Sequence, residues 1–357
     1  MMTDKRREVE ELRGALGKLD QELLELLDRR AKLSKKVGQL RRSMPTGVIS
    51  VPDRAMLAEI VARGSGDMPK ESLEVIFRQI FASCLALEDD LIVAYNGLEG
   101  GFAHAAARSR FGASSTYVAC ESSALAIDEV TRKRAVYALV PYETRDDGPA
   151  QGTIAALAAS DAKIVASFVT ALNLHIANRT GNLADVERVY AIAKDAGRCH
   201  RFLTTELASA QVIDVKSPAL AVQLAADDPK AAAIATEGTL VERGLELARR
   251  NIRDAGDDQI RWAIIGSRPS SRAGNDFTAI ALSVHDKPGA LHEVLSQFAE
   301  RGVNLTRIQS RPTAGEAWNY LFFIEVEGHA TDRPIVLALE DVRKLCKFLK
   351  VLGSYQV

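Results

Sequence analysis

LIVAYNGLEGG, residues 91–101, is the point at which the chain changes its period. A short apolar run ends in a glycine turn, the pattern of a strand feeding a helix, and such units alternate from here to about Arg268. The turn lacks the glycine spacing of a dinucleotide fingerprint and the Lys-Ser/Thr pair of a phosphate loop, so it is read as a strand-to-helix turn. Strands are predicted at 91–95, 135–140, 163–169, 172–176, 188–190, 211–214, 232–235 and 261–265.

Upstream of that point there is almost no strand signal. Leucine and valine recur at 12, 16, 19, 23, 26, 33, 37 and 40, which predicts one long helix with a partner-facing seam. Arg30 stands in the seam where the pattern calls for an apolar residue, and a charge there needs an anion or a carboxylate. SMPTGVISVP (43–52) ends the helix, DRAMLAEIVARG (53–64) makes a short second one, and a third runs from about Lys70 to Asp89. Three helices alone leave a seam of about 60 Å exposed. A homodimer or higher homo-oligomer is therefore expected.

Downstream of Arg268, SRPSSRAGND (267–276) reads as a linker. FTAIALSV, a helix over 290–301, LTRIQSRP and NYLFFIEVEG then predict a βαββαβ unit ending near Tyr355. Such a unit usually needs its sheet or helices covered. His285 and His329 are read as surface histidines. The expected domains are thus 1–90, helical; 91–268, α/β; and 269–357, a linker with an α+β module.

Forty-six basic and forty-seven acidic residues among 357 leave a net charge of -1. No global field recruits nucleic acid or an anionic membrane, so any anion site is local. No apolar run reaches the roughly twenty residues that span a bilayer, and the charged start MMTDKRREVEELR does not resemble a secretion signal. Cys84, Cys120, Cys199 and Cys346 have neither metal-ligand spacing nor disulfide density. A cytoplasmic, thiol-reduced protein with no metal and no cofactor is expected.

With its parts in this order, the chain resembles over nearly its whole length the bifunctional chorismate mutase and prephenate dehydratase family of phenylalanine biosynthesis. ELRGALGKLDQELLELLDRR (11–30) and IFRQIFASCLALE (76–88) look like the mutase, and weakened dehydratase motifs fill the middle. KPGALHEVLSQFAERGVNLTRIQSRP (287–312), NYLFFIEVEGH (319–329) and LKVLGSY (349–355) look like a regulatory ACT domain. The resemblance implies all-α mutase helices, a two-lobed α/β dehydratase-like domain and an α+β ferredoxin-like ACT domain. It also implies chorismate- and prephenate-like ligands and phenylalanine as effector.

The mutase step is a pericyclic rearrangement, which needs no nucleophile or metal. It needs a clamp on a dicarboxylate in its compact conformation and stabilised charge at the ether oxygen. The resemblance places cations at Arg13, Arg30, Arg41 and Arg54, with Arg41 in place of the usual Lys. It places Glu88 where Gln or Glu occurs, and a proton held by Glu88 would be donated to the ether oxygen, which requires a raised pKa. Arg30 and Arg41 share nearly one helix face about 16 Å apart, whereas Arg13 lies about 25 Å from Arg30. An antiparallel partner is implied to supply Arg13. Val51 and Ala55 stand where acidic residues are common, and Cys84 replaces a common Ser. Losing the substrate-hydroxyl carboxylate at position 55 costs about 1–3 kcal/mol if its partner goes unsatisfied.

In the middle part the family's GPEGTF appears as Gly97-Leu98-Glu99-Gly100-Gly101-Phe102, and its PIENS-like segment as Pro141-Tyr142-Glu143-Thr144-Arg145. Its Thr-Arg-Phe motif appears as Ile260-Arg261-Trp262, and isoleucine donates no proton. Glu143, Thr144 and Arg261 are expected to line an interlobe ligand cleft, with Tyr142, Thr144 or Thr153 as replacement donors. The alternative for Arg261 and Trp262 is a strand-edge ion pair and a core aromatic. Ligand binding is easier to defend here than dehydration. In the ACT-like part, Gly289, Ala290, Leu291, Asn304, Leu305, Gln309 and Ser310 are the implied amino-acid site. Three functions follow: a regulated pathway enzyme, a ligand-sensing or partner-regulating homologue, or an enzyme for a modified chorismate or prephenate.

Overall fold

Leucine, glutamate, lysine and arginine dominate the first helix, and no proline interrupts it, so α1 runs unbroken over Met2–Ser43. The computed structural model describes residues 2–43, 54–64, 66–88, 91–112, 114–144, 148–254, 258–312 and 320–356. Most of the loop expected to end α1 lies outside them. These residues form two compact units, 1–91 with 109–116, and 92–108 with 117–357. In the first, α2 (Arg54–Arg63) and α3 (Lys70–Glu88) follow α1. The leucine seam is bare: Leu12, Leu16, Leu19, Leu23, Leu26, Leu33 and Leu40 are 55–64% exposed. α1 and α3 run in the same direction, since Arg30 lies over Phe81 and Gly38 abuts Glu88. A Cβ on Gly38 would stand 2.2 Å from the Glu88 carbonyl oxygen, so only glycine lets the two backbones close.

The second unit begins with a lobe built from β1 (Ile92–Asn96), α4 (Phe102–Phe111), β2 (Thr116–Cys120), α5 (Ser123–Thr131), β3 (Tyr137–Thr144), β4 (Gly148–Pro149), α6 (Gln151–Ala159) and β5 (Lys163–Ala171). A second lobe follows, with β6 (His175–Asn178), β7 (Arg188–Ala191), α7 (Ala193–Arg198), α8 (His200–Glu206), β8 (Gln211–Asp214), α9 (Pro218–Asp227), β9 (Ala231–Ala235), α10 (Glu237–Glu242) and β10 (Glu246–Arg249). The chain then returns as β11 (Gln259–Gly266) to the first sheet, ordered β2-β1-β3-β11-β5, while the second sheet is ordered β10-β6-β9-β7-β8. β11 is antiparallel to both its neighbours. The two crossings are tied together: Arg253 donates to the Leu172 carbonyl (2.7 Å) and to Asp258 Oδ2 (2.9 Å), and Leu172 N–H donates to the Asp258 carbonyl (2.9 Å).

The strand expected at 172–176 starts at His175 instead, because Leu172 and Leu174 are buried in the crossing itself. β2 and β10 were missed in the sequence. Both are edge strands, and an edge strand with mostly exposed side chains shows no apolar run.

The last part comprises β12 (Asp276–Val284), α11 (Ala290–Ala299), β13 (Leu305–Pro312), β14 (Tyr320–Glu327), α12 (Arg333–Leu345) and β15 (Cys346–Gln356), with sheet order β13-β14-β12-β15. One sheet face, with Ile280, Leu282, Ile324 and Val326, packs on Val294, Phe298, Ile335 and Val342 of the helices. From the other face, Ala279, Ala281 and Phe323 join Leu352 and Tyr355 in the core of the first lobe, beside Val140, Leu157, Ile164 and Ile265. The module that needed a cover thus finds it within its own chain. His329 is buried rather than on the surface, its ring nitrogens meeting Thr331 Oγ1 (2.7 Å) and the Ser270 carbonyl (3.3 Å). The four cysteines form no disulfide. Among the described residues no helix is long and apolar enough to cross a membrane, and no cluster of metal-ligating side chains is present.

Gly353 marks the docking. Its φ is +155°, and a Cβ there would stand 2.2 Å from the Ile164 carbonyl oxygen. Lys163 Nζ donates to the Val351 carbonyl (2.5 Å) and Lys350 Nζ to that of Ala158 (2.9 Å). Gly353→Ala is expected to cost about 3 kcal/mol, the upper end for overpacking against backbone. Urea titration followed by near-UV dichroism checks this, and a change below about 0.5 kcal/mol contradicts it.

Candidate functional site

In the helical unit, the Arg30 guanidinium carbon lies 4.7 Å from the centre of the Phe81 ring. Arg30 Nη1 is shut off from solvent with no hydrogen-bond partner, an arrangement that leaves a donor waiting for an acceptor. Gly38, about 12 Å further along α1, admits the backbone of Glu88, which is half-buried at the last position of α3. Cys84 is buried one turn before it. Arg13 is exposed far up α1 and does not reach Arg30. The side chains of Arg41, Arg54 and Ala55, and the whole of Val51, lie outside the described residues.

Between the two lobes of the second unit, the glycine turn makes the contact. Gly100 has φ +74°, donates its N–H to His104 Nδ1 (3.0 Å) and accepts from Thr239 Oγ1 (2.9 Å). A Cβ there would lie 2.7 Å from Ala219 N, so both conformation and space require glycine. Beside the turn, Arg198 lies over the Phe102 ring at 5.6 Å and pairs with Asp195 at 3.2 Å. Burial pushes the Asp195 carboxyl up, against the pull of Arg198. Neither residue sits in a motif, and the only signal was an Asp-Arg pair three residues apart. Asn96 Nδ2 donates to Ser123 Oγ (2.9 Å), which also meets the Thr153 hydroxyl (2.7 Å). Thr153 is fully buried and donates to the Pro141 carbonyl at 2.6 Å, so its hydroxyl is already committed.

Ile260, the second residue of β11, lies opposite Thr144 and is buried; its own side chain carries no hydroxyl. Glu143 and Arg261 are brought together, but toward the C-terminal module instead of an open cleft, because strand alternation sends residues 260 and 261 to opposite faces. Glu143 pairs with Arg307 at 2.5 Å and Arg261 with Glu325 at 3.0 Å. Arg261 Nε also donates to Ser167 Oγ (3.0 Å), and the Tyr355 hydroxyl donates to Glu325. Tyr142 is buried beside Arg261, and burial raises its hydroxyl pKa, so it makes a poor replacement donor. Trp262 is a core aromatic whose Nε1 donates to Thr170 Oγ1 (2.8 Å). Trp262 is thus the core aromatic of the second reading, while the ion pair of Arg261 is buried on an inner strand and not at a strand edge.

The seven amino-acid-site candidates fall into two groups. Gly289, left-handed at φ +81°, caps α11, followed by Ala290 and Leu291. Gln309 and Ser310 share that end of the sheet, since Ser310 pairs with Phe322 and Phe322 with Leu282. Leu305 pairs with Val326, which pairs with Thr278 at the other end, and Asn304 accepts there from Glu327 N–H (3.0 Å). Five residues of strand, about 17 Å, separate the groups. One module does not gather them, while β13 is an edge strand that a second module could extend.

Comparison with known proteins agrees with this three-part arrangement. Chorismate mutase type II matches residues 12–89, Prephenate dehydratase 93–270 and the ACT domain 278–344. The bifunctional chorismate mutase/prephenate dehydratase of Aquifex aeolicus is 38% identical over 354 residues, 98% of each chain. Among solved structures, the prephenate dehydratase of Arthrobacter aurescens in complex with L-Phe covers 75% of this chain and 90% of its own, at 30% identity and TM-score 0.63. GqqA, described as a novel type of quorum-quenching acylase, covers 74% and 97% at 25% identity and TM-score 0.63.

Two imidazoles, half-buried His104 and buried His175, give the second unit a pH dependence. His104 accepts at Nδ1 from Gly100 N–H and His175 from Asn251 N–H, and burial pushes both pKa values below the ordinary histidine value, helped at His104 by Arg108. Below about pH 6.5 the unfolded chain binds protons that the folded one refuses, so stability is full above that value and falls as pH drops. The melting temperature is expected to fall between about pH 6.5 and 5.5 and to fall less in H104N, which keeps an acceptor. Identical slopes for the two proteins would remove His104 from the account.

Proposed function

The chain belongs to the bifunctional chorismate mutase/prephenate dehydratase family of phenylalanine biosynthesis, and on that premise we propose how its parts divide the work. The helical unit, paired with a second copy, rearranges chorismate to prephenate. The α/β lobes bind prephenate or a close relative. The C-terminal module senses phenylalanine. The setting is cytoplasmic, and no cofactor takes part.

The observation that carries the mutase reading is the Arg30 donor, buried over Phe81 and without a partner on the seam that Gly38 opens to Glu88. A substrate carboxylate satisfies it. Arg41 and Arg54 complete the cationic set in the same protomer, while Arg13 comes from the partner along the bare leucine seam. Glu88, protonated, donates to the ether oxygen as the bond breaks. Holding the dicarboxylate in its reactive fold is itself most of the catalysis, because no group must be added or removed.

The lobes keep the family's scaffold without its hydroxyl at position 260. Binding without efficient dehydration follows, since departure of hydroxide needs a positioned proton. A second reading, chemistry on a modified substrate, draws on the Asp195–Arg198 pair beside Phe102: a buried carboxyl with a raised pKa is a candidate acid. In the C-terminal module, two copies set antiparallel would bring Gly289, Ala290, Leu291, Gln309 and Ser310 of one to Asn304 and Leu305 of the other.

A time course with chorismate, resolving chorismate, prephenate and phenylpyruvate, tests the division of labour. Prephenate is expected to accumulate with little phenylpyruvate. Arg30→Ala should lower kcat by about 100-fold or more with helicity intact; turnover within threefold of wild type would sink the assignment. Ile260→Thr should increase phenylpyruvate formation, and an Ile260→Val control should not. If wild-type protein makes phenylpyruvate as fast as it makes prephenate, another group supplies the proton.

A further inference from the structure

Two cross-strand pairs face one another in the second unit. Glu143 and Arg261 are register partners on β3 and β11, and Arg307 and Glu325 are register partners on β13 and β14. Their signs alternate, so Glu143 meets Arg307 at 2.5 Å while Arg261 meets Glu325 at 3.0 Å. Arg261 and Glu325 are enclosed whereas Glu143 and Arg307 are half-buried, and the spare bonds of the inner pair are used: Thr306 and Tyr355 hydroxyls donate to Glu325, and Arg261 donates to Ser167. One end of it adjoins Thr144 and Ile260, the next residues in register on β3 and β11. At its other end Gln309 lines a small pocket together with Arg307, Glu325 and Tyr142.

We propose that this box couples the amino-acid site of the C-terminal module to the cleft ends of β3 and β11, with Arg307 and Glu325 acting as positioning residues. The proposal rests on the reading of that module as a phenylalanine sensor. Alternating charges fit in one register only. Sliding β13 and β14 across the lobe one way would bring Arg307 toward Arg261, and the other way Glu325 toward Glu143, and either like-charge contact is disfavoured beside the buried pair. A displacement of β13 on effector binding must therefore carry β3 and β11 with it or break a pair whose partner stays buried. The box is thus a stiff link between Gln309 on one side and Thr144 and Ile260 on the other.

The test uses the full chain, with calorimetry for phenylalanine and amide hydrogen exchange on peptides covering 137–144 and 258–262. Saturating phenylalanine is expected to change exchange in both peptides at least threefold in wild type. Arg307→Gln should bind phenylalanine within about threefold of wild type yet lose the exchange response, whereas Arg307→Lys, which keeps the positive charge opposite Glu143, should retain it. A response that survives in R307Q, or its loss in a folded R307K variant, overturns the proposal. If calorimetry shows no phenylalanine binding to wild type, the sensor reading fails and the coupling is tested without effector. R307E alone should then speed exchange in 258–262, on a strand it does not contact as an ion pair, by about tenfold, and R307K, which keeps the sign of the charge, should leave it within about twofold of wild type. Unchanged exchange there in R307E, or an equal rise in R307K, overturns the coupling as well.

Discussion

Glu325 places a charge among Ala279, Ala281, Phe323 and Leu352 on the sheet face that is packed against the first lobe, where it is the most buried charged group. A carboxylate so placed is tolerable only with a counter-ion and satisfied lone pairs, and breaking such a pair typically costs about 3–5 kcal/mol. Arg261 supplies the charge, with Tyr355 and Thr306 supplying the remaining hydrogen bonds. The requirement fixes how β14 lies over β11. With that crossing set, Gly353 falls against Ile164, the two lysines 163 and 350 find backbone carbonyls across the joint, and Phe323 and Leu352 enter the lobe's core. Apolar burial provides most of the favourable free energy of this docking, but it is indifferent to register. The charges choose the register.

The two units solve their problems by different means. In the helical unit Gly38 brings the backbone of α3 against α1 at Glu88, and Arg30 lies over Phe81 across the same contact. Its apolar seam is left bare, so the fold of this unit is a half that calls for its like. Among its described residues the second unit has no such bare stripe on a helix. Its glycine turn is locked between Thr239 and Ala219, its crossings are tied by Arg253 and Asp258, and its C-terminal sheet is covered from within.

Much of this was legible in the residues. The change of period at residue 91, the leucine spacing before it and the strand-helix order after Asp276 gave the three-part fold. Arg261 was harder. Its presence beside Ile260 suggested a shared site, yet alternation alone separates neighbours on a strand, and which face meets another module is decided by contacts more than sixty residues apart in sequence, such as that with Glu325. The edge strands β2 and β10 escaped for a related reason, since exposed side chains carry no periodic signal. Asp195 and Arg198 belong to no motif, and only the folded approach of Phe102 gives them a setting. His329 looked like a surface residue because its partners, Ser270 and Thr331, are ordinary loop residues that sequence cannot place.

The sharing of Leu352 and Tyr355 with the core of the first lobe bears on the order in which the chain is made. The strands and helices between residues 92 and 171 leave the ribosome early, and domains usually begin to fold as they emerge. This lobe cannot finish doing so. Its sheet lacks the inner strand β11 until residue 266 is synthesised, and its core lacks Tyr355 until nearly a hundred residues later. For that interval the polypeptide carries an unfinished apolar surface with an open gap between β3 and β5, the kind of surface that chaperones hold and that neighbouring nascent chains can mispair with.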